Sequence, residues 1–144
     1  MLVRQILKSK NDDGVVTIAP DATVSDAAQL LSARRIGSVV VSTDGKNADG
    51  ILSERDIVRE IGKRGPACLS EQVSQMMTRS VQTCACDDKA DAILARMTEG
   101  RFRHMPVEEA GQMVGLITLG DVVKARLSEL SMEKDALEGM IMGH

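Results

Sequence analysis

The sequence predicts a mixed α/β fold built from two similar halves, and three observations lead there. The stretch Gly50-Ile51-Leu52-Ser53-Glu54-Arg55-Asp56-Ile57-Val58 returns as Gly115-Leu116-Ile117-Thr118-Leu119-Gly120-Asp121-Val122-Val123. Each begins with glycine and two aliphatics, as at the end of a buried strand. Each then places a hydroxyl residue, two others and an aspartate at the start of an aliphatic-rich helix. Second, β-branched runs and apolar stripes of helical period follow one another in the same order on both sides of Gly62-Lys63-Arg64-Gly65-Pro66, a helix stop and loop. Third, 43% of the residues are hydrophobic, with one Phe, no Trp or Tyr and nine Met, so an aliphatic core is affordable at this size.

Taken in order, Val3, Gln5, Ile6 and Leu7 recur as Val73, Gln75, Met76 and Met77. Both sets have helical spacing, so each half opens with a short helix, the second N-capped by Ser70. After the polar turn signal Asn11-Asp12-Asp13-Gly14 comes a strand, Val15-Val16-Thr17-Ile18, matched by Val81-Gln82-Thr83-Cys84. Thr23 and Asp26 form a capping box for a helix striped by Val24, Ala27, Ala28 and Leu31. Its counterpart carries Ala90, Ile93, Leu94 and Met97 at the same steps. Strands Ser38-Val39-Val40-Val41 and His104-Met105-Pro106-Val107 follow; the proline implies an edge or strand-start position. Turns at Thr43-Asp44-Gly45-Lys46-Asn47 and Glu108-Glu109-Ala110-Gly111 lead into the repeated motif and its helix. The organisation is 1–65, 70–127 and a C-terminal helical extension, 128–144. In the last helix Val123, Leu127, Leu130, Leu137 and Ile141 step by fours and threes, with Lys134 in the remaining slot. That stripe either packs on its own domain or meets a second copy or another partner.

Composition excludes several classes. A net charge of −3 gives no broad phosphate-backbone footprint, and one aromatic ring gives no base-stacking platform, so no nucleic acid is expected. No apolar run approaches the ~20 residues of a membrane span, and the N-terminus reads as an amphipathic segment rather than a signal peptide. Three cysteines without a framework point to a reducing compartment, and the expected location is cytoplasmic. Cys84-Ala85-Cys86, with only His104 and His144 as imidazoles, is a poor zinc set, so no metal is expected. There is no Walker A loop, dinucleotide fingerprint or nucleophile–base set, so no enzyme is expected.

The repeated junctions, together with Arg101-Phe102-Arg103-His104-Met105-Pro106-Val107, resemble the CBS domain, named for cystathionine β-synthase, in its tandem form, the Bateman module. The resemblance covers nearly the whole chain outside the C-terminal extension. It implies an α/β, sandwich-like architecture: two β-α-β-β-α repeats packed as a pseudo-twofold pair, each preceded by a short helix. It also implies a regulatory, non-catalytic module that binds adenosine-containing ligands between the repeats and pairs into dimers. In such modules the motif aspartate takes the ribose hydroxyls, the Ser or Thr lies near ribose or phosphate, and the first strand with the start of the second frames adenine.

The chemistry of the residues suits that ligand. An ionised carboxylate accepts both hydroxyls of a ribose, a role for Asp56 and Asp121. Ser53 and Thr118 stand at helix starts, which favour anions. Ser-x-x-Asp and Thr-x-x-Asp are equally capping boxes. Val16, Ile36 and Leu116 are candidate walls of one cleft, and Gln82, Phe102 and Leu52 of the other. Thr17 and Thr83 belong to the framing strands. The two sites differ: Gly37-Ser38 in the first half stands where the second has Arg103-His104, and Arg55 where the second has Gly120. Two sites of unequal preference are expected, with Asp121 and Thr118 first to be filled. The expected ligand is AMP, ADP, ATP, S-adenosylmethionine or NAD(H), with no catalytic cofactor. The expected partners are a second copy and an unidentified regulated protein, reached by a conformational or dimer change. The alternative is a ligand-independent dimeric scaffold.

Overall fold

The computed structural model describes residues 1–10 and 14–141. The turn expected at 11–14 lies, Gly14 apart, outside the described residues, as does His144. Two three-stranded sheets form, in the orders β1-β2-β3 and β4-β5-β6. The elements of the first are β1 (Thr17–Ile18), β2 (Ser38–Val41) and β3 (Gly50–Ser53), with α2 (Val24–Arg34) between β1 and β2 and α3 (Glu54–Arg64) after β3. The second repeats this with β4 (Cys84–Ala85), α5 (Ala90–Gly100), β5 (His104–Glu109), β6 (Gln112–Thr118) and α6 (Leu119–Ile141). In both sheets the central strand is parallel to the first and antiparallel to the third. The leading helices are α1 (Val3–Ser9) and α4 (Val73–Met76).

Each leading helix packs on the other half. Val3 and Ile6 of α1 join the core of Ile93, Met97, Met105 and Ile117, while Val73 and Met76 of α4 join that of Val24, Leu31, Val39 and Leu52. Matched hydrogen bonds fasten them. Val3 N–H donates to Asp88 O (2.9 Å) and Arg4 N–H to Cys86 O (3.0 Å); Val73 N–H donates to Ala22 O (2.8 Å) and Ser74 N–H to Pro20 O (3.0 Å). The motif glycines leave room for this exchange. A β-carbon on Gly50 would lie 2.7 Å from the Thr78 carbonyl oxygen, just beyond α4, and one on Gly115 would lie 2.7 Å from a Leu7 methyl on α1.

Four local expectations change, the first being that the opening strands read at 15–18 and 81–84 are only Thr17–Ile18 and Cys84–Ala85. Pro106 sits inside the central strand β5, opposite Leu116, rather than at an edge or strand start. The position tolerates it because the bond it cannot donate is simply omitted. In the first half Val40 N–H donates to Val16 O (3.1 Å). At the equivalent Pro106 no N–H exists, and β4 accordingly begins pairing one residue later, at Cys84 with Val107. Ser70 does not cap α4: it ends a 3-10 turn, Pro66–Ser70, and Gln72 takes the cap position in a box with Gln75. Gly62 is inside α3, which runs to Arg64; Gly65, at φ 81°, is the stop. The Thr23–Asp26 capping box forms as read, with Asp26 N–H donating to Thr23 Oγ1 (3.0 Å).

Candidate functional site: two clefts between the halves

At both repeated junctions a buried strand feeds a helix whose first turn is closed by the motif. Asp56 N–H donates to Ser53 Oγ (3.2 Å) and Ser53 N–H to Asp56 Oδ2 (3.0 Å). Asp121 N–H donates to Thr118 Oγ1 (3.1 Å) and Thr118 N–H to Asp121 Oδ2 (2.9 Å). The helix starts are also tied to the preceding loop, Glu54 N–H to Gly37 O (2.9 Å) and Leu119 N–H to Arg103 O (2.8 Å). These first-turn donors are therefore already used. Capping occupies one carboxylate oxygen, and an ionised carboxylate has about four acceptor positions, so the cap and a ribose contact are compatible.

The slots opposite are shaped by left-handed residues. Arg35 (φ 53°) ends α2 and Arg101 (φ 56°) ends α5. The residue after each donates back into its helix, Ile36 N–H to Leu31 O (3.1 Å) and Phe102 N–H to Met97 O (3.2 Å). This six-to-one closure places Ile36 and Phe102 at matched points beside the clefts.

The halves interlock so that each carboxylate faces the other half's slot. The first cleft, about 690 Å³, brings Asp121, Thr118 and Leu116 together with Val16, Ile36, Gly37 and Ser38. The second, about 1100 Å³, brings Asp56, Ser53 and Arg55 together with Gln82, Phe102, Arg103 and Gly120. Gly37, His104 and Thr118 border both. Arg55 and Arg103, on different halves, thus serve one cleft.

Three candidate residues line neither cleft: Leu52, Thr17 and Thr83. Leu52 is fully buried in the core, paired with Val39. Within the repeat it corresponds to Ile117, also fully buried, whereas Leu116 corresponds to Ile51. A one-residue offset in a strand turns the side chain to the opposite face, and Ile51 is the residue at the second cleft. Thr17 points off the cleft by the same alternation from Val16, and Thr83 presents its carbonyl to Arg96 (2.8 Å).

Other residues at the clefts do not stand out in the sequence. Lys10 Nζ reaches Asp121 Oδ2 (2.8 Å) and Leu116 O (2.8 Å), and only the fold brings that lysine to the second half's motif. Arg59 Nη2 holds Asp56 Oδ1 (2.9 Å) from one turn further along α3. Lys124, three residues after Asp121, borders both clefts, and Arg101 borders the second. The i+3 spacing of Arg59 and Lys124 from the motif aspartates was the available signal.

The clefts differ electrically. The second is lined by five cations (Arg55, Arg59, Arg101, Arg103 and Lys124) against Glu54 and Asp56. The first has Lys10 and Lys124 against Asp121. Burial pushes the Asp121 carboxyl up, but the Lys10 ammonium and the Thr118 donors outweigh it and hold the group below the usual aspartate value. Burial, helped by the Arg103 charge, lowers the His104 imidazole below its ordinary 6.5, against the opposing pull of Asp56 and Glu54. His104 therefore stands neutral between the clefts near pH 7. Cys84 is free, buried, and pushed up to about 12 by that burial and by Asp88.

The sequence matches the CBS domain family twice, over residues 3–63 and 73–128. Among curated relatives, the mitochondrial CBS domain-containing protein CBSX3 of Arabidopsis thaliana is 31% identical over 148 residues, covering 98% of this chain and 72% of its own. The crystal structure of the CBS-domain protein ATU1752 from Agrobacterium tumefaciens is 44% identical, with a TM-score of 0.82 over 88% of this chain and 99% of that one. The CBS domain protein PAE2072 from Pyrobaculum aerophilum, solved with AMP, shares the fold at a TM-score of 0.77 and 24% identity, covering 92% of this chain and 99% of that one. The chain belongs to the CBS domain family and carries its domain as a tandem pair. Among the described residues no helix is long and apolar enough to cross a membrane.

Proposed function

We propose that this CBS pair is a regulatory module that binds adenosine-containing ligands in its two clefts, Asp56 and Asp121 each taking a ribose. The observation that carries this is the crossed arrangement: in both clefts a motif carboxylate of one half faces the slot of the other. A ligand spanning that gap touches both halves at once. It biases their relative closure by the difference in its affinity for the two arrangements. The AMP complex of PAE2072, a fold relative, supports the ligand class.

The charge balance supports a division of labour. The second cleft, lined by both Arg55 and Arg103, suits a phosphorylated ligand, since guanidinium groups match phosphate geometry. The first, where one lysine already neutralises Asp121, suits a less charged adenosine derivative. AMP, ADP, ATP, S-adenosylmethionine and NAD(H) form the candidate set. No catalytic role is assigned to either aspartate.

Native mass spectrometry of the protein as purified tests this directly. The expected spectrum carries an adenine-containing adduct, or acquires one on addition of AMP. A spectrum that stays free of adducts with every ligand of the set contradicts the proposal. It would favour a ligand-independent scaffold acting through an exposed surface such as α6.

A further inference from the structure

Each motif carboxylate has a cation of its own, and the two cations are held differently. Arg59 reaches Asp56 Oδ1 (2.9 Å) from the same helix, and its side chain is 54% exposed. Lys10 comes from the end of α1, far from Asp121 in sequence, and its side chain is only 23% exposed. Its ammonium is fixed at two points, Asp121 Oδ2 (2.8 Å) and the Leu116 carbonyl oxygen (2.8 Å). Both residues line the first cleft, so the charge is anchored inside it. A ribose need not displace it. An ionised carboxylate has about four acceptor positions; Thr118 N–H and Lys10 share Oδ2, and the remainder suffices for a ribose diol.

We propose that Lys10 is a specificity-determining residue of the first cleft: its fixed charge admits adenosine derivatives that are neutral or anionic at the 5′ carbon and rejects those that are cationic there. The role rests on Asp121 holding a ribose. Asp121 alone would make the cleft attractive to a cation. Lys10 cancels that attraction, and the exposed Lys124 adds to it, so that two ammonium groups stand against one carboxylate among the lining side chains. The 5′ substituent hangs from the same ring whose hydroxyls Asp121 takes, so a cation there stands close to the Lys10 ammonium. Like charges in a site partly shut off from water repel far more than in bulk solvent. Lys10 outweighs Lys124 because a half-buried, doubly held ammonium is screened less than an exposed one. S-adenosylmethionine carries a sulfonium at its 5′ carbon and is excluded from the first cleft on this ground. The five cations of the second cleft oppose it there as well. The candidate ligands narrow to those that are neutral or anionic at that carbon.

Titration calorimetry of the full chain carrying Asp56→Ala, which leaves the first cleft as the ribose site, tests this. The probes are two nucleosides of nearly equal size: adenosine, and 5′-amino-5′-deoxyadenosine, whose amine is protonated at pH 7. With Lys10 in place adenosine binds on the order of tenfold tighter than the amine. In Lys10→Met the ratio of the two affinities falls to about one or reverses, because Asp121 then faces the amine without its counter-ion. Lys10→Arg keeps the charge and the preference, and Lys124→Met shifts the ratio less than Lys10→Met does. A merely structural loss at α1 would lower both affinities together and leave their ratio alone. Equal binding of the two nucleosides with Lys10 present overturns the inference. So does a ratio unmoved by Lys10→Met, or one lost as fully in Lys10→Arg. In each of these cases the ribose assignment stands, since adenosine still binds. No binding of adenosine at millimolar concentration overturns the ribose assignment itself, and the role of Lys10 with it.

Discussion

Replacing Gly50 and Gly115 by alanine, one at a time, probes the exchange of leading helices that brings the clefts together. The two positions are equivalent in the repeat but meet different neighbours. At Gly50 the added carbon lands 2.7 Å from the Thr78 carbonyl oxygen and 2.6 Å from the Met77 sulfur. The thioether can swing away; the carbonyl cannot, because Thr78 is bound to Ile51 in both directions (Ile51 N–H to Thr78 O 3.0 Å, Thr78 N–H to Ile51 O 2.9 Å). Relief therefore requires β3 to separate from Thr78. The cost sits at the upper end of overpacking, about 3 kcal/mol. At Gly115 the neighbour is the tip of the Leu7 side chain, which can change rotamer, and the cost is about 1 kcal/mol. At roughly 2–4 °C per kcal/mol for a chain of this size, Gly50→Ala should melt about 6–12 °C below the parent and Gly115→Ala about 2–4 °C below, by differential scanning calorimetry. Equal losses for the pair, or Gly50→Ala melting with the parent, would refute the reasoning from the rigid carbonyl.

Two more predictions concern titrating groups. With Cys84 raised to about 12 and buried, and Cys68 buried as well, a thiol reagent at pH 8 should label Cys86 alone in the native protein and all three cysteines in denaturant; prompt labelling of two in the native state contradicts this. His104 is lowered in the fold, so the unfolded chain takes up its proton first, and stability falls as pH drops below 6.5 and levels off beneath the lowered folded value. Asp121, also lowered, contributes stability above its unfolded value of 3.8 that is lost at more acidic pH. Urea midpoints between pH 7 and 4 should show the first decline in the parent and not in His104→Gln; an unchanged slope in the variant removes His104 as its source.

Much of the site was legible because it rests on a repeat. Finding Ser53–Asp56 and Thr118–Asp121 at matched places required only that strand and helix periods agree across the two halves. The walls Val16, Ile36 and Leu116 followed from the same alignment. Leu52 was misplaced by a one-residue offset, which in a strand exchanges core for cleft. The crossing of the leading helices was not legible, because a helix that packs on its own half and one that packs on the other carry the same apolar spacing. Lys10 was hidden for the same reason: its partner Asp121 is distant in sequence, and only the position of α1 against β6 and α6 joins them. Pro106 argued for an edge, whereas the sheet accommodates it by starting β4 one residue later.

The most direct test of the central claim is isothermal titration of AMP into the parent, Asp56→Ala, Asp121→Ala and the double variant. Each aspartate is assigned two charge-assisted hydrogen bonds to ribose, worth about 1.5–3 kcal/mol apiece. Removing Asp56 should therefore weaken the tighter AMP binding, at the second cleft, by about 100-fold or more, removing Asp121 should weaken only the weaker binding at the first, and the double variant should show no heat of binding. Undiminished AMP affinity in the double variant, or no binding to the parent by AMP or any other ligand of the candidate set, would contradict the assignment of Asp56 and Asp121 to ribose.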